Sequence, residues 1–201
     1  DFAMTNDFVS VCLVFRTNGK YYVLQHTFVY THSRDLKGIK APLNDWAEKG
    51  HLTFIEDVEV AAHLVTDWFL KMGTKYKIKK IGIDHFRFSF LNSEFKKIGF
   101  YAYEKKNIKR IRPSDIIMIA PIINSIFINH NFVWGDVPIL RWFTNNTKKI
   151  VQNGNVSYGK IEPNYRKTDG FMALVNAVIL AQELKEKKKA NPKAFKVIKF
   201  N

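Results

Sequence analysis

The sequence predicts a mixed α/β domain, and three observations carry that prediction. They are a strand hairpin near the start, a strand, helix, strand order in the first half, and a second hairpin ahead of a long apolar helix. With 201 residues, 46% of them hydrophobic, the chain can bury a core of single-domain size. No internal repeat and no Gly/Ser linker interrupts it, so residues 1–201 read as one domain.

Phe8 to Phe15 and Tyr21 to Tyr30 are rich in β-branched and aromatic residues and flank Asn18-Gly19, the turn dipeptide of a tight hairpin. A short helix is expected over Leu43 to Lys49, stopping at Gly50, and a brief strand over Leu52 to Ile55. From Glu56-Asp57 onward, Val58, Ala61, Leu64, Val65, Trp68, Phe69 and Met72 recur at helical spacing, with acids at the start and Lys71 and Gly73 at the end. Lys77 to Asp84 follows as a strand, so this unit predicts a right-handed crossover with parallel pairing of its two strands.

Phe86 to Gly99 can form another helix. Arg112-Pro113-Ser114-Asp115 opens a very apolar segment, Ile116 to Ile128, which Pro121 is expected to break. Asp136 to Asn146 reads as a helix with Pro138 in its first turn. Lys148 to Val151 and Val156 to Ile161 flank Gln152-Asn153-Gly154-Asn155, the second hairpin signal. Asp169 to Lys187 is a long helix with Met172, Val175, Val178, Ile179 and Gln182 on one face, and residues from about 185 to 201 form a basic tail.

Lys and Arg outnumber Asp and Glu by 32 to 18, a net charge of +14. Such a balance bears on partners, with nucleic acid first among polyanions, and equally describes a solvated basic surface. The single cysteine, Cys12, lies in an apolar strand, which excludes an internal disulfide framework and a cysteine-based zinc site. No apolar run of about 18 residues exists and the first residues do not resemble a signal peptide, so no membrane role is expected and a reducing compartment fits.

The six histidines form no compact ligand spacing; His26 falls in a strand and His63 in a helix, where packing is their expected role. A Gly-x-Ser-x-Gly elbow and a Gly-rich phosphate loop are both absent from the sequence. What remains is a set of carboxylates at element boundaries: Asp1 at the start, Asp84 ending an apolar strand, and Asp169 heading an apolar helix. Carboxylates gathered at one end of a sheet can hold two divalent ions about 3.5–4 Å apart, activating water and stabilising the leaving oxygen in phosphodiester cleavage. Taken singly, Asp169 is a first-turn acid complementing the helix dipole, and Asp84 a cap for the next helix.

Asp1 to Asp7 before a strand hairpin, Ile81-Gly82-Ile83-Asp84, Leu140-Arg141-Trp142-Phe143-Thr144-Asn145-Asn146, and Lys167-Thr168-Asp169-Gly170-Phe171-Met172-Ala173-Leu174 together resemble the C-terminal nuclease domain of tailed-bacteriophage terminase large subunits. The order of these blocks matches across nearly the whole chain. The resemblance implies a ribonuclease H-like α/β fold, a mixed central sheet flanked by helices with an additional β-hairpin. It implies a divalent-metal-dependent endonuclease that cuts double-stranded viral DNA during genome packaging, in the host bacterial cytoplasm. Asp1, Asp84 and Asp169 would be its catalytic acids and ligands of two Mg²⁺ or Mn²⁺ ions, with Asp7 a possible fourth acid. Lys148, Lys149, Arg166 and Lys167 are the residues expected on the DNA backbone, and their alternative reading is ordinary exposed charge. In the family an ATPase motor precedes this domain and a first strand precedes the first aspartate; neither is in the present sequence, so a fragment is expected. In the full-length protein the small terminase subunit and the portal would be partners. Trp142 and Phe143 are expected in the core. Two alternatives stay open: a non-catalytic DNA-binding or assembly module, and another ribonuclease H-like nuclease such as a resolvase or transposase.

Overall fold

The computed structural model describes residues 1–3, 7–57 and 59–184, so the expected basic tail lies outside the described residues. Strands β1 (Val9–Thr17) and β2 (Lys20–Tyr30) pair antiparallel across Asn18-Gly19. Both turn residues have positive φ, 50° and 72°, which is the conformation a two-residue loop of this hand requires. A short helix α1 (Leu43–Glu48) leads to β3 (Leu52–Ile55), which runs parallel to the C-terminal half of β2. Helix α2 (Ala62–Gly73) then carries the chain to β4 (Ile81–Asp84).

The expected pairing between β3 and β4 does not form. Val65 and Phe69 of α2 pack with Val11 and Leu13 of β1, Phe28 of β2, and Ile81 and Ile83 of β4. The helix therefore crosses the face of both hairpin strands and delivers β4 to the far side of β1. There β4 pairs parallel with β5 (Ile108–Ile111), after helix α3 (Phe88–Lys97). The strand is also shorter than expected, because the lysine-rich stretch before Ile81 stays out of the ladder.

Pro121 does not break the apolar segment: α4 (Pro113–Ile128) runs through it. The ring sits on the exposed side, where the carbonyl deprived of its N–H partner can turn to water. Pro113 occupies the first turn and the Arg112 N–H donates to Asp115 Oδ2 at 2.8 Å, fixing the start. The two-residue strand β6 (Phe132–Val133) joins β2 in parallel. Helix α5 (Pro138–Asn145) precedes the second hairpin, β7 (Thr147–Gln152) and β8 (Asn155–Lys160), whose turn residues Asn153 and Gly154 again have positive φ. Helix α6 (Asp169–Ala181) closes the described chain; it ends earlier than the sequence predicts.

The ladder of β1, β2, β3 and β6 is separate from the β4–β5 pair, and the layer the two form carries a core on each face. On one, Phe69, Leu91 and Phe95 of α2 and α3 cover β1 and β4; on the other, α6 lies between the sheet and α4 and α5. Because α6 is covered on both sides, 11 of its residues are buried, from Asp169 itself to Ala181. Its close approaches are made at glycines. A Cβ on Gly82 of β4 would stand 3.2 Å from Leu180 Cδ1, and one on Gly170 only 2.2 Å from the ring of Phe143, which is itself fully buried.

Gly170→Ala should therefore lower the unfolding free energy by about 1–3 kcal/mol, the usual cost of overpacking a core. Urea denaturation measures this, and Phe143→Leu in the same chain should recover part of the loss by making room.

Candidate functional site

Alternation places Asp84 as the last residue of β4, after the buried Ile81 and Ile83, and there it forms a turn. Its Oδ1 accepts the Phe86 N–H at 2.8 Å and its backbone carbonyl accepts the Arg87 N–H, while α3 begins only at Phe88. It therefore supports the strand-to-helix turn rather than capping the helix.

Asp1 meets the chain just where β1 begins. Its amino group donates to the Ser10 carbonyl at 2.8 Å, and the Ser10 N–H donates to the Asp1 carbonyl at 2.9 Å. Burial lowers the pKa of that amino group, whereas the nearby charges of Asp169 and Asp84 raise it. Asp169 and Asp84 thus both lie near enough to Asp1 to act on its amino group. Among the described residues, however, no three acids or histidines stand close enough to hold one ion.

Asp169 is 4% exposed, and its Oδ2 is buried without a hydrogen-bond partner. Burial first, then the charge of Asp7, pushes this carboxyl up to about 6, against the opposing pull of Lys160 and Lys167. An orphaned carboxylate oxygen at a helix head is costly, and a cation would remove the cost. The charged side chains that act on it are those of Asp7, Lys160 and Lys167, and a carboxylate such as its own is the hard oxygen ligand that Mg²⁺ and Mn²⁺ prefer. Carboxylates are the donor type such an ion takes, and among the described residues they are not gathered around one position.

Asp7 has a different situation. It accepts Lys160 Nζ at 2.6 Å and Lys167 Nζ at 2.8 Å, both on Oδ1, and Lys167 Nζ also donates to Asp35 Oδ2 at 2.6 Å. Its carboxyl is held below the usual range because the two ammonium groups outweigh its partial burial. Lys167, expected on the DNA backbone, is turned inward: its side chain is 1% exposed, and its charge is matched by Asp7 and Asp35. The neighbouring carbonyl of Lys167 is also held, by Asn146 Nδ2 at 2.9 Å. Lys148 and Lys149, on the outer strand of the second hairpin, are exposed, and so is Arg166, whose Nη1 reaches Asn146 Oδ1 at 3.3 Å.

Lys160 and Asp35 are members of this charge network that the sequence does not point to. Lys160 closes β8 opposite Thr147, a position fixed by the hairpin register, while Asp35 comes from a loop 132 residues before Lys167. Phe143 is fully buried and Trp142 partly so, its ring tilted against those of Phe8 and Trp46, and both belong to the core as expected.

No family model matches the chain, and no curated protein does. A search of solved structures finds the large terminase of bacteriophage HK97, with a TM-score of 0.74 at 15% sequence identity. The likeness covers 88% of this chain and 37% of that one, so the chain spans well under half the length of the terminase. The fold is therefore the expected one, a ribonuclease H-like α/β sheet flanked by helices. No helix among the described residues is long and apolar enough to cross a membrane.

Two outcomes follow from these charges. An unfolded aspartate ionises near 4, whereas Asp169 in the fold stays protonated to about 6, so unfolding releases a proton in this interval. Stability of the metal-free protein should fall as pH rises from about 4 to about 6, and Asp169→Asn should abolish that fall. The shift of Asp7 has the opposite sign and acts at lower pH. Lys167→Ala should cost on the order of 2–3 kcal/mol, since it strands Asp7 and Asp35, which keep some contact with water. Unchanged urea midpoints in Lys167→Ala would show the network to be idle.

Proposed function

We propose that this chain is the nuclease part of a phage large terminase, a divalent-metal-dependent endonuclease that cuts double-stranded DNA during genome packaging. The observation that carries the reading is the buried, unpartnered oxygen of Asp169 at the head of α6. The likeness in fold to the HK97 large terminase supports it.

Asp84 and Asp169 would hold the ions, joined by Asp1 where β1 begins. Bound Mg²⁺ or Mn²⁺ would supply Lewis-acid activation of water and neutralise charge developing on the leaving oxygen. The protein's part is to aim carboxylates from a strand end and a helix head, both rigid supports. Asp7 is already neutralised by Lys160 and Lys167, which suits it to hold the lysines in place rather than to bind metal. Lys148, Lys149 and Arg166, which are exposed, would meet phosphates and fix the duplex without reading its sequence. Work in the host bacterial cytoplasm, with the small terminase subunit and the portal as partners of the full-length protein, belongs to the same proposal.

One observation favours a second reading, a DNA-binding module without catalysis: the three acids do not converge on a single ion position among the described residues. Nicking of supercoiled plasmid separates the two. Under Mn²⁺ the unaltered chain should nick, and Asp84→Ala and Asp169→Ala should each lose about 100-fold or more while binding DNA normally, the scale of removing a charge partner of the transition state. Cleavage undiminished in both variants would overturn the assignment of the acids.

The phosphate-facing residues carry their own test. Lys148→Ala with Lys149→Ala should weaken DNA binding to a similar degree for all sequences, and should reduce the dependence of log K on log salt by about 0.9 for each phosphate no longer neutralised. Lys167→Ala, whose charge is internal, should leave that slope unaltered.

A further inference from the structure

The parallel pairing of β4 with β5 brings the carboxyl ends of both strands to one edge, with Asp84 beside Ile111 and the His85 N–H donating to the Ile111 carbonyl at 2.9 Å. In open α/β sheets, ligands meet the carboxyl ends of parallel strands. The chain leaves this edge through Phe86 and Arg87 after β4 and through Arg112 after β5, and all three are exposed.

Phe86 is 71% exposed, and Phe90, one helical turn further on, is 46% exposed. α3 does not need either for its packing, because Phe88, Leu91 and Phe95 supply its buried face. Among the described residues the Phe86 ring meets that of His85, at 5.6 Å and nearly perpendicular, so no described ring lies flat against it. A single exposed phenyl is ordinary on a protein surface. Here two share one turn, and their surroundings are basic: from His85 to Arg112 the chain holds eight Lys or Arg residues against two acids. One of those acids, Glu94, is already paired with Lys97 Nζ at 2.6 Å. Open aromatic faces among cations are the means by which proteins hold unstacked bases.

The turn also fixes how far the ring stands from Asp84. The Phe86 N–H donates to Asp84 Oδ1 at 2.8 Å, and the Asp84 carbonyl accepts the Arg87 N–H at 3.1 Å. The Cα of Phe86, one bond beyond its nitrogen, is therefore within about 4.3 Å of that carboxylate oxygen. Successive nucleotides of a strand rise by about 3.4 Å, so the ring falls at the nucleotide next to a phosphate held at Asp84.

We propose that Phe86, together with Phe90, stacks on a base turned out of the duplex beside the phosphate to be cut, so that the chain selects DNA carrying an unpaired or unstacked step. The inference deepens the nuclease reading and rests on it for the identity of that phosphate. The occupant is DNA rather than an apolar protein surface because the charge around the rings is positive. Within paired DNA, pyrimidine–purine steps, which unstack readily, are favoured over stiff A-tracts.

The test measures binding by the whole chain in EDTA, where no metal-dependent cutting occurs, to a duplex with a central mismatch and to the same duplex fully paired. The unaltered chain should bind the mismatched duplex about tenfold more tightly, the scale of one base stacked on one aromatic ring. Phe86→Ala should lose that preference while its affinity for the paired duplex stays within about twofold. Phe86→Trp, which keeps an aromatic face, should retain the preference, and Phe86→Leu, apolar without one, should not. Equal affinity of the unaltered chain for the two duplexes, or a preference that survives in Phe86→Ala or Phe86→Leu, would overturn the proposal. Failure of the nuclease reading looks different: no nicking under Mn²⁺, with the preference for the mismatched duplex intact and lost in Phe86→Ala, which would leave the stacking site standing.

Discussion

The arrangement depends on keeping one ionisable carboxylate, that of Asp169, at the first residue of a helix with almost no exposed surface. α6 lies against β1, β2 and β4 on one side and α4 and α5 on the other. Its insertion demands close approaches, met at Gly82 and Gly170, and apolar residues nearly all round, from Phe171 to Ala181. An acid at the head of such a helix gains from the backbone dipole but loses the solvation that would keep it ionised. The result is a carboxyl whose pKa is pushed up to about 6 by its burial.

Around that acid the basic surplus of the chain divides into two populations. Lys160 and Lys167 point inward and are neutralised by Asp7 and Asp35; Lys148, Lys149 and Arg166 lie outside. A buried pair of charges rarely adds net stability compared with apolar packing, but removing one partner is expensive. The interior lysines thus fix where Asp7 sits, and Asp7 in turn raises the pKa of Asp169. Fold and candidate chemistry are linked through this chain of charges rather than through any direct bond to Asp169 Oδ2.

Much of the fold is legible in the sequence because its signals are local. Both Asn-Gly hairpins, the amphipathic α2, the proline-started α5 and the acid-headed α6 rest on neighbours within a few residues in sequence. The brief strands β5 and β6 are not legible, since two basic residues interrupt the first and the second has only two residues, and both pair with a strand remote in sequence. The separation of β3 from β4 has the same origin: the order strand, helix, strand does not say how many strands the helix steps across. Pro121 is tolerated against expectation because its cost depends on whether its side of α4 is wet. At the site, Asp84 and Asp169 can be picked out from apolar runs ending or beginning at an acid. The inward turn of Lys167 cannot, because its partner Asp35 is remote in sequence and a lysine two residues before an aspartate looks like any surface charge.

The second hairpin also links the two populations of lysines. Its register sets Thr147 opposite Lys160 and Lys148 opposite Gly159, so the wet strand and the strand that ends beside Asp7 are braced by a continuous ladder one strand spacing apart. The turn at Asn153-Gly154 is the free tip of this arm, and its root is the Lys160–Asp7 contact. One ladder thus joins the exposed Lys148 and Lys149 to the strand whose last residue, Lys160, is paired with Asp7.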